Sequence, residues 1–139
     1  KSLGIETQSL PAGTLEDLER ALSEINRKSP EALLVARSQV IMTHRERIIA
    51  LATKKRLPTT FPEREFVNVG GLMSYGPDTR DLYRRAATYV DKILKGATPG
   101  ELPIERPMKF DFVINLKTAK QITLTIPPNV LARADKVIR

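Results

Sequence analysis

Residues 31–61, EALLVARSQVIMTHRERIIALATKKRLPTTF, decide the fold, because a strand, a helix and a second strand follow one another there. Ala32 to Ala36 is a continuous apolar run, typical of a strand that is covered on both faces. Apolar residues at helical spacing follow it, and Lys54, Lys55 and Arg56 favour the negative end of a helix dipole. Residues 57–61 then have the pattern of a second short strand. The alternation predicts a right-handed crossover between parallel strands.

The same alternation extends towards the N-terminus. Residues 3–10 have the pattern of a short strand, and Thr14 with Asp17 forms a capping box for a helix that ends at Ser29-Pro30. A second capping box, Thr43 with Glu46, predicts the start of the next helix. This part of the chain is therefore expected to supply alternating strands and helices.

The alternation also continues towards the C-terminus, where Gly70-Gly71 separates a helical turn at 62–66 from a brief strand at 72–75. A long helix is predicted from Asp78 to Lys95, with one apolar stripe formed by Leu82, Ala86, Tyr89, Val90 and Ile93. A proline-rich connector at 97–107 precedes a strand at 110–116, short helices at 118–122 and 127–134, and a small strand at 135–138. The fold class is α/β, a three-layer lobe with a parallel sheet.

Length and composition describe one ordinary globular domain of 139 residues. The chain has no Cys and one His, which argues against disulfides, metal sites and a histidine-based catalytic triad. Its net charge of +7 comes from basic residues dispersed among acidic ones, and no aromatic residues alternate with them. We therefore expect no nucleic-acid partner.

Candidate catalytic residues do not combine into a site. Glu63 and Glu65 are two positions apart, which would direct them to different faces of a helix. His44 falls in the first turn of a predicted helix, where a lone exposed histidine is the simpler interpretation. The sequence predicts no catalytic residue, no metal and no cofactor.

A binding site is the better expectation, since ligands of parallel α/β sheets lie beyond the carboxyl ends of the strands. Three segments, 37–39, 61–65 and 74–78, follow or end predicted strands and offer hydroxyls, an amide, both signs of charge and aromatic faces. Such groups suit a small zwitterion, with Tyr75 placed to cover it. The candidate ligand-binding residues are Ser38, Gln39, Phe61, Glu63, Arg64, Ser74, Tyr75 and Asp78.

Four stretches resemble one known family, the substrate-binding proteins of ABC transporters. They are REFVNVGGLMSYGPD at 64–78, YRRAATYVDKILKG at 83–96, FVINLKTAK at 112–120 and LTIPPNVLARAD at 124–135. The resemblance is specific over 64–135 and weaker before it. Two departures stand out: Ile122-Thr123 replaces a usual Leu-Gly pair, and Val40-Ile41 replaces a commonly aromatic stretch.

The resemblance implies a type I periplasmic-binding-protein-like fold of which this chain is the C-terminal portion, with the N-terminal lobe absent. Residues 1–69 would then be the βαβαβ part of the second lobe, 70–100 a crossover strand and long helix, and 101–139 the connector, strand and short helices that complete the lobe. It also implies a solute-binding component of an importer, which captures a small solute such as an amino acid by lobe closure. The implied partners are a permease and an ATPase, and the implied location is the periplasm or another extracytoplasmic space.

Two other functions use the same kind of sheet. A ligand-sensing regulatory or nucleic-acid-associated domain would carry a helix-turn-helix segment, and none precedes the first predicted strand. An enzyme on a flavodoxin-like sheet would need the catalytic residues that are missing. For this chain alone we expect a homodimer, because the apolar stripe of the long helix needs a partner.

Overall fold

Five strands form one mixed sheet in this computed structural model, which describes residues 4–139. The strands lie side by side in chain order: β1 (Leu33–Leu34), β2 (Thr59–Phe61), β3 (Met73–Pro77), β4 (Phe110–Asn115) and β5 (Lys136–Ile138). Helices precede and connect them: α1 (Leu15–Lys28), α2 (Gln39–Thr43), α3 (Arg45–Lys54), α4 (Arg64–Asn68), α5 (Thr79–Leu94), α6 (Leu116–Gln121) and α7 (Pro128–Leu131), with a 3-10 turn at Pro99–Glu101. The α/β class and the mostly parallel sheet are confirmed.

One strand pair is antiparallel, which differs from the all-parallel expectation. β1 with β2, β2 with β3, and β4 with β5 are parallel, but β3 pairs with β4 in the opposite direction. The physical reason is the route of the chain between them. It leaves β3 through α5 and returns by the connector to the same end of the sheet, where the Asp78 N–H donates to the carbonyl of Lys109 at 2.9 Å.

Helix α1 shows how local sequence fixes an element. The Thr14 hydroxyl accepts from the backbone N–H of Asp17, and the Asp17 carboxylate accepts from the N–H of Thr14, so the predicted capping box is present. Three residues at helical spacing, Leu18, Ala21 and Ile25, are buried. The helix ends where Ser29 adopts a left-handed conformation.

The core consists of three apolar clusters. The first joins α1, α2, α3, β2 and α4, with Phe61 stacked on Phe66 at 4.6 Å between ring centroids. The second joins β4 to the C-terminal helices around Leu72 and Ile114. The third lies around Ile25, Ala52 and Leu57. These clusters hold β2, β3 and β4 in fixed register, which determines where their ends meet.

Three predicted local features are wrong. The run from Ala32 to Ala36 is not a strand covered on both faces: β1 spans only Leu33–Leu34 at the edge of the sheet, and Leu34 is 86% exposed. Residues 4–10, which were predicted as part of a strand, form none. Among the described residues β1 pairs only with β2, so no strand supplies hydrogen bonds to this segment. Position 3 lies outside the described residues. Thr43 does not cap a helix: it is the last residue of α2, which begins four residues earlier under the cap of Ser38. The Ser38 hydroxyl accepts from the N–H of Ile41 and so starts the helix sooner.

The long helix α5 buries none of its residues. Leu82, Val90 and Ile93 keep 37%, 54% and 40% of their surface exposed. Its contacts are with the connector, where Tyr89 donates from its hydroxyl to the carbonyl of Pro103 at 2.5 Å and Arg85 pairs with Glu105. Within residues 4–139, no helix has the length and apolar character that crossing a bilayer requires.

Candidate ligand-binding site

The candidate site lies at the edge of the sheet where β1, β2 and β3 end. Because β4 and β5 run the other way, their first residues lie at this same edge. Residues 62–65, 76–80 and 111 enclose a small cavity there, with a volume of about 30 Å³. A space of that size has room for a small polar group.

The cavity lining is rich in charge. It includes four carboxylates, Glu63, Glu65, Asp78 and Asp111, and two guanidinium groups, Arg64 and Arg80. Such a lining attracts polar or ionic groups and rejects apolar ones.

Glu63 is a largely buried carboxylate that pairs with Arg37 on the loop after β1. Its side chain is 12% exposed, and Oε1 accepts from Nε of Arg37 at 2.9 Å. Oε2 is buried and has no hydrogen-bond partner among the described residues. A buried carboxylate oxygen without a donor is costly.

Arg64 and Asp111 form a second ion pair across the site. Nε of Arg64 lies 3.1 Å from Oδ2 of Asp111, and both side chains are largely buried. Since Arg64 begins α4 and Asp111 belongs to β4, the pair ties a short helix to the antiparallel strand. It holds one wall of the cavity in place.

Asp78 caps helix α5 beside the cavity. Its Oδ1 accepts from the backbone N–H of Arg80 at 3.0 Å and of Asp81 at 3.3 Å, which caps α5. Desolvation raises the pKa of Asp78, but these two hydrogen bonds and the charges of Lys109 and Arg80 outweigh it and hold the pKa below its ordinary value. Asp78 is therefore ionised at neutral pH.

Gly76 brings β3 and the loop after β2 into direct contact. A Cβ at this position would collide with the backbone carbonyl of Pro62. Only glycine leaves room for that approach, which places Glu63 beside the end of β3.

Ser38 and Gln39 lie at the same edge, where Ser38 caps α2 and Gln39 begins it, but they do not line the cavity. Besides capping α2, the Ser38 hydroxyl donates to the carbonyl of Ala12 at 3.2 Å. Gln39 is exposed. The bond from Arg37 to Glu63 connects the loop after β1 to the cavity.

Three other candidate residues, Phe61, Ser74 and Tyr75, do not line this cavity. Phe61 and Ser74 are each 1% exposed, and their side chains belong to the interior. Tyr75 is 58% exposed, and its ring stacks on that of Phe110 with 5.5 Å between the centroids. Because side chains alternate along a strand, the Tyr75 ring lies on the face of β3 opposite the one where Gly76 meets Pro62. Of the eight candidates, the structure brings Glu63, Arg64 and Asp78 together around the cavity.

Three charged lining residues, Glu65, Arg80 and Asp111, were not among the candidates. Asp111 could not be placed at this edge without knowing that β4 runs antiparallel to β3. Arg80 follows a capping aspartate, and that signal was available. Among residues 4–139, no three side chains of the kinds that ligate metals converge on one point.

A family model decides the relationship of the chain to known proteins. The model for the ABC transporter substrate binding protein family matches residues 1–138. The chain belongs to this family. No curated protein sequence matches it significantly.

Solved structures of similar proteins agree with the family. A conserved domain protein from Vibrio cholerae O1 biovar El Tor is 30% identical, with a TM-score of 0.79 over 88% of this chain and 41% of that one. An ABC domain from Streptococcus pneumoniae, solved in complex with L-Trp, is 27% identical, with a TM-score of 0.78 over 88% of this chain and 42% of that one. A substrate binding protein with adhesive properties from Clostridium difficile, in a ligand-free, open structure, shares the fold at 19% identity and a TM-score of 0.61, over 90% of this chain and 41% of its own.

This ABC transporter substrate-binding chain therefore spans about two-fifths of the length of the solved relatives that it matches. Its family consists of solute-binding proteins rather than enzymes, and these proteins usually work outside the cytoplasm.

Proposed function

We propose that this chain forms one wall of the solute site of an ABC-type importer. The whole protein would capture a small solute, such as an amino acid, between two lobes that close around it and would deliver it to a membrane permease. Closure of this kind shifts the population between open and closed forms and involves no chemical step. The observation that carries the proposal is the charged cavity at the sheet edge, enclosed by residues 62–65 and 76–80.

The proposed ligand contacts come from Glu63, Arg64 and Asp78, with Ser38 and Gln39 at the start of α2. Carboxylates of this set would bind an ammonium group, and Arg64 or backbone N–H groups would bind a carboxylate. Phe61 and Ser74 support these residues from the interior, and Tyr75 forms part of the neighbouring sheet face.

The relative from Streptococcus pneumoniae supports an amino acid as the solute, since it was solved with L-Trp. The charge pattern points the same way, because both signs of charge lie within one small cavity.

The proposed partners are a permease and an ATPase subunit, in a periplasmic or other extracytoplasmic location. We propose no nucleic-acid partner and no cofactor. We also propose that the protein catalyses no reaction. Turnover of any compound in a broad substrate screen, lost on His44→Ala or on Glu63→Gln with Glu65→Gln, would contradict that part.

Titration calorimetry of the full-length protein against the proteinogenic amino acids tests the function. We expect at least one to bind in the micromolar range or tighter, and Arg64→Ala to weaken it at least tenfold. Arg84→Ala is the matched control, since Arg84 is 76% exposed and pairs only with Asp81 on the same helix. Failure of every amino acid to bind the wild-type protein would contradict the proposal.

A further inference from the structure

Basic residues collect at the edge of the sheet opposite the cavity. Helices α1 and α3 end there, because each precedes a strand that starts at this edge, and α6 begins there, directly after β4. The ends of α1 and α3 contact each other, since Nζ of Lys55 donates to the carbonyl of Asn26 at 2.9 Å. The start of α6 contacts the end of α4, where the Thr118 hydroxyl donates to the carbonyl of Gly70 at 2.9 Å. We call the cations at these helix ends the basic edge: Arg27, Lys28, Lys54, Lys55, Arg56 and Lys117.

Most of the charge of the basic edge is not neutralised. Arg27 and Lys28 both pair with Glu24, at 2.9 Å and 3.5 Å. The other four cations form no ion pair with any residue in 4–139. The cavity at the other edge is lined by four carboxylates. The charge of the domain is therefore polarised along its strands, with positive charge at the end away from the cavity.

Two of these cations occupy positions that local structure disfavours. Arg56 has a φ of 55°, a left-handed conformation that suits glycine just after a helix. Lys117 lies in the first turn of α6, at the positive end of the helix dipole. The dipole explains a cation such as Lys54 at the end of α3, but it does not explain Lys117 and does not relieve the backbone at Arg56. The charge of these two residues therefore indicates a partner outside the described chain.

The composition of the basic edge indicates what kind of partner it fits. Protein interfaces are anchored by aromatic side chains, and single-stranded nucleic acids stack on them. Within residues 4–139 the exposed aromatic side chains lie elsewhere: Tyr83 is on α5, and Tyr75 and Phe110 are on β3 and β4. Cations without such anchors suit a surface that is anionic throughout, where each of them can approach a phosphate group.

We propose that the basic edge binds the surface of a bilayer that contains anionic phospholipids, through their phosphate groups. This binding is peripheral and electrostatic, so it weakens as salt is added. The cavity lies at the opposite edge of the sheet and stays clear of the lipid surface. The inference goes beyond the proposed function, because it requires no solute, and either one can fail without the other.

Co-sedimentation of the full-length protein with vesicles tests the inference. The probes are vesicles of phosphatidylcholine alone and vesicles that also contain about 30 mol% phosphatidylglycerol. We expect the protein to bind the anionic vesicles at least tenfold more strongly than the neutral ones. It should be released as the salt concentration rises from about 0.05 M to about 0.5 M.

The combined variant Lys54→Gln, Arg56→Gln and Lys117→Gln identifies the surface. Each Lys or Arg close to an anionic bilayer contributes roughly fivefold to the partition coefficient, so this variant should bind at least tenfold more weakly. Its thermal midpoint should stay within a few degrees of wild type, because none of the three side chains has a hydrogen bond or ion pair within residues 4–139. Its solute affinity should stay within twofold, which separates this inference from the proposed function.

The matched control is the combined variant Arg84→Gln, Lys109→Gln and Arg133→Gln, which removes the same charge from exposed positions outside the basic edge. An equal loss of binding in the two combined variants would assign binding to net charge and overturn the inference. Failure of the wild type to bind the anionic vesicles also overturns it. If the wild type then binds the permease and ATPase complex in neutral lipid and the basic-edge variant does not, the partner is an acidic protein surface instead.

Discussion

The backbone carbonyl of Pro62 lies against Gly76, in the space that a Cβ would occupy at any other residue. This contact brings the loop after β2 onto the end of β3. It places Glu63 next to the N-terminal cap of α5, so a glycine without any polar side chain organises the charged cavity.

Gly76→Ala should therefore disturb both stability and binding. The new methyl group forces the Pro62 carbonyl away, and overpacking of this kind costs about 1–3 kcal/mol of unfolding free energy. We expect a lower urea midpoint and weaker solute binding in the full-length protein. Gly100→Ala is the control, because a Cβ there meets no atom within 4 Å. Equal midpoints for the two variants would show that the Pro62 loop moves aside freely.

The elements were predictable because their signals are local. The capping box of α1, the apolar spacing along it and the cations at the end of α3 each act within a turn or two of helix. The alternation of these helices with short apolar runs then gave the α/β class, since parallel strands require crossover connections.

The site was less predictable because it depends on distant contacts. Asp111 reaches the cavity only through the antiparallel pairing of β3 with β4, which rests on the path of α5 and its connector. The orientations of Ser74 and Tyr75 depend on which face of β3 is covered, and alternation alone does not say which. Residues 4–10 have a strand pattern, but a pattern supplies no hydrogen-bonded neighbour.

Thr123 occupies a position that suits glycine. Its φ is 59°, in the left-handed region where a β-branched residue is strained. Glycine adopts this conformation without strain, so Thr123→Gly should raise the unfolding free energy by about 1 kcal/mol. Thr125→Gly, two residues on and at a position where φ is not positive, should lower the unfolding free energy. A lower urea midpoint for Thr123→Gly would mean that the Thr123 hydroxyl bond to the carbonyl of Ile122, 2.6 Å long, outweighs the strain.

The capping box of α1 predicts a pH dependence. The bonds from the Thr14 hydroxyl and backbone N–H, with help from Arg20, hold the pKa of Asp17 below its ordinary 3.8 despite some desolvation. A carboxyl whose pKa is lower in the folded state than in the unfolded state stabilises the fold at pH values above its unfolded pKa. That contribution is lost as the pH falls through the folded pKa. We expect the urea midpoint to decrease as the pH drops below about 4. The decrease should be smaller in Asp17→Asn than in Glu31→Gln, the control at an exposed site. Parallel pH profiles in the two variants would contradict this.

The structure changes the expectation for Tyr75. The sequence suggested that its ring covers the ligand, which predicts a loss of about 1 kcal/mol of binding energy in Tyr75→Ala. The ring instead stacks on Phe110 and meets Phe112 edge-on at 6.0 Å, on the side of β3 away from Gly76. We expect Tyr75→Ala to lower the urea midpoint and to leave solute affinity in the full-length protein within twofold. Calorimetry that shows a tenfold loss, with normal folding, would return Tyr75 to the binding site.

Self-association of the 139-residue chain follows from the exposure of α5. Its apolar stripe, defined by Leu82, Ala86, Tyr89, Val90 and Ile93, contains no buried residue, and four of these residues line a groove between α5 and the connector. Complete burial of a large apolar side chain is worth about 1.5–3 kcal/mol. Leu82, Val90 and Ile93 leave 37%, 54% and 40% of their surface in water, so each forgoes part of that amount, and together the loss is large for a small domain. A second copy of the chain can cover the stripe across a two-fold axis, so we expect a homodimer at micromolar concentration.

Sedimentation decides between dimer and monomer, and one pair of variants identifies the surface. Ile93→Glu places a charge in the stripe and should give a monomer of 15.6 kDa. Thr88→Glu adds the same charge on the opposite side of α5 and should remain dimeric, since residues 88 and 93 are separated by about 140° around the helix. A monomeric wild-type chain would mean that the connector alone covers the apolar stripe well enough for the chain to be stable without a partner. A dimer that persists in Ile93→Glu would move the interface to another surface.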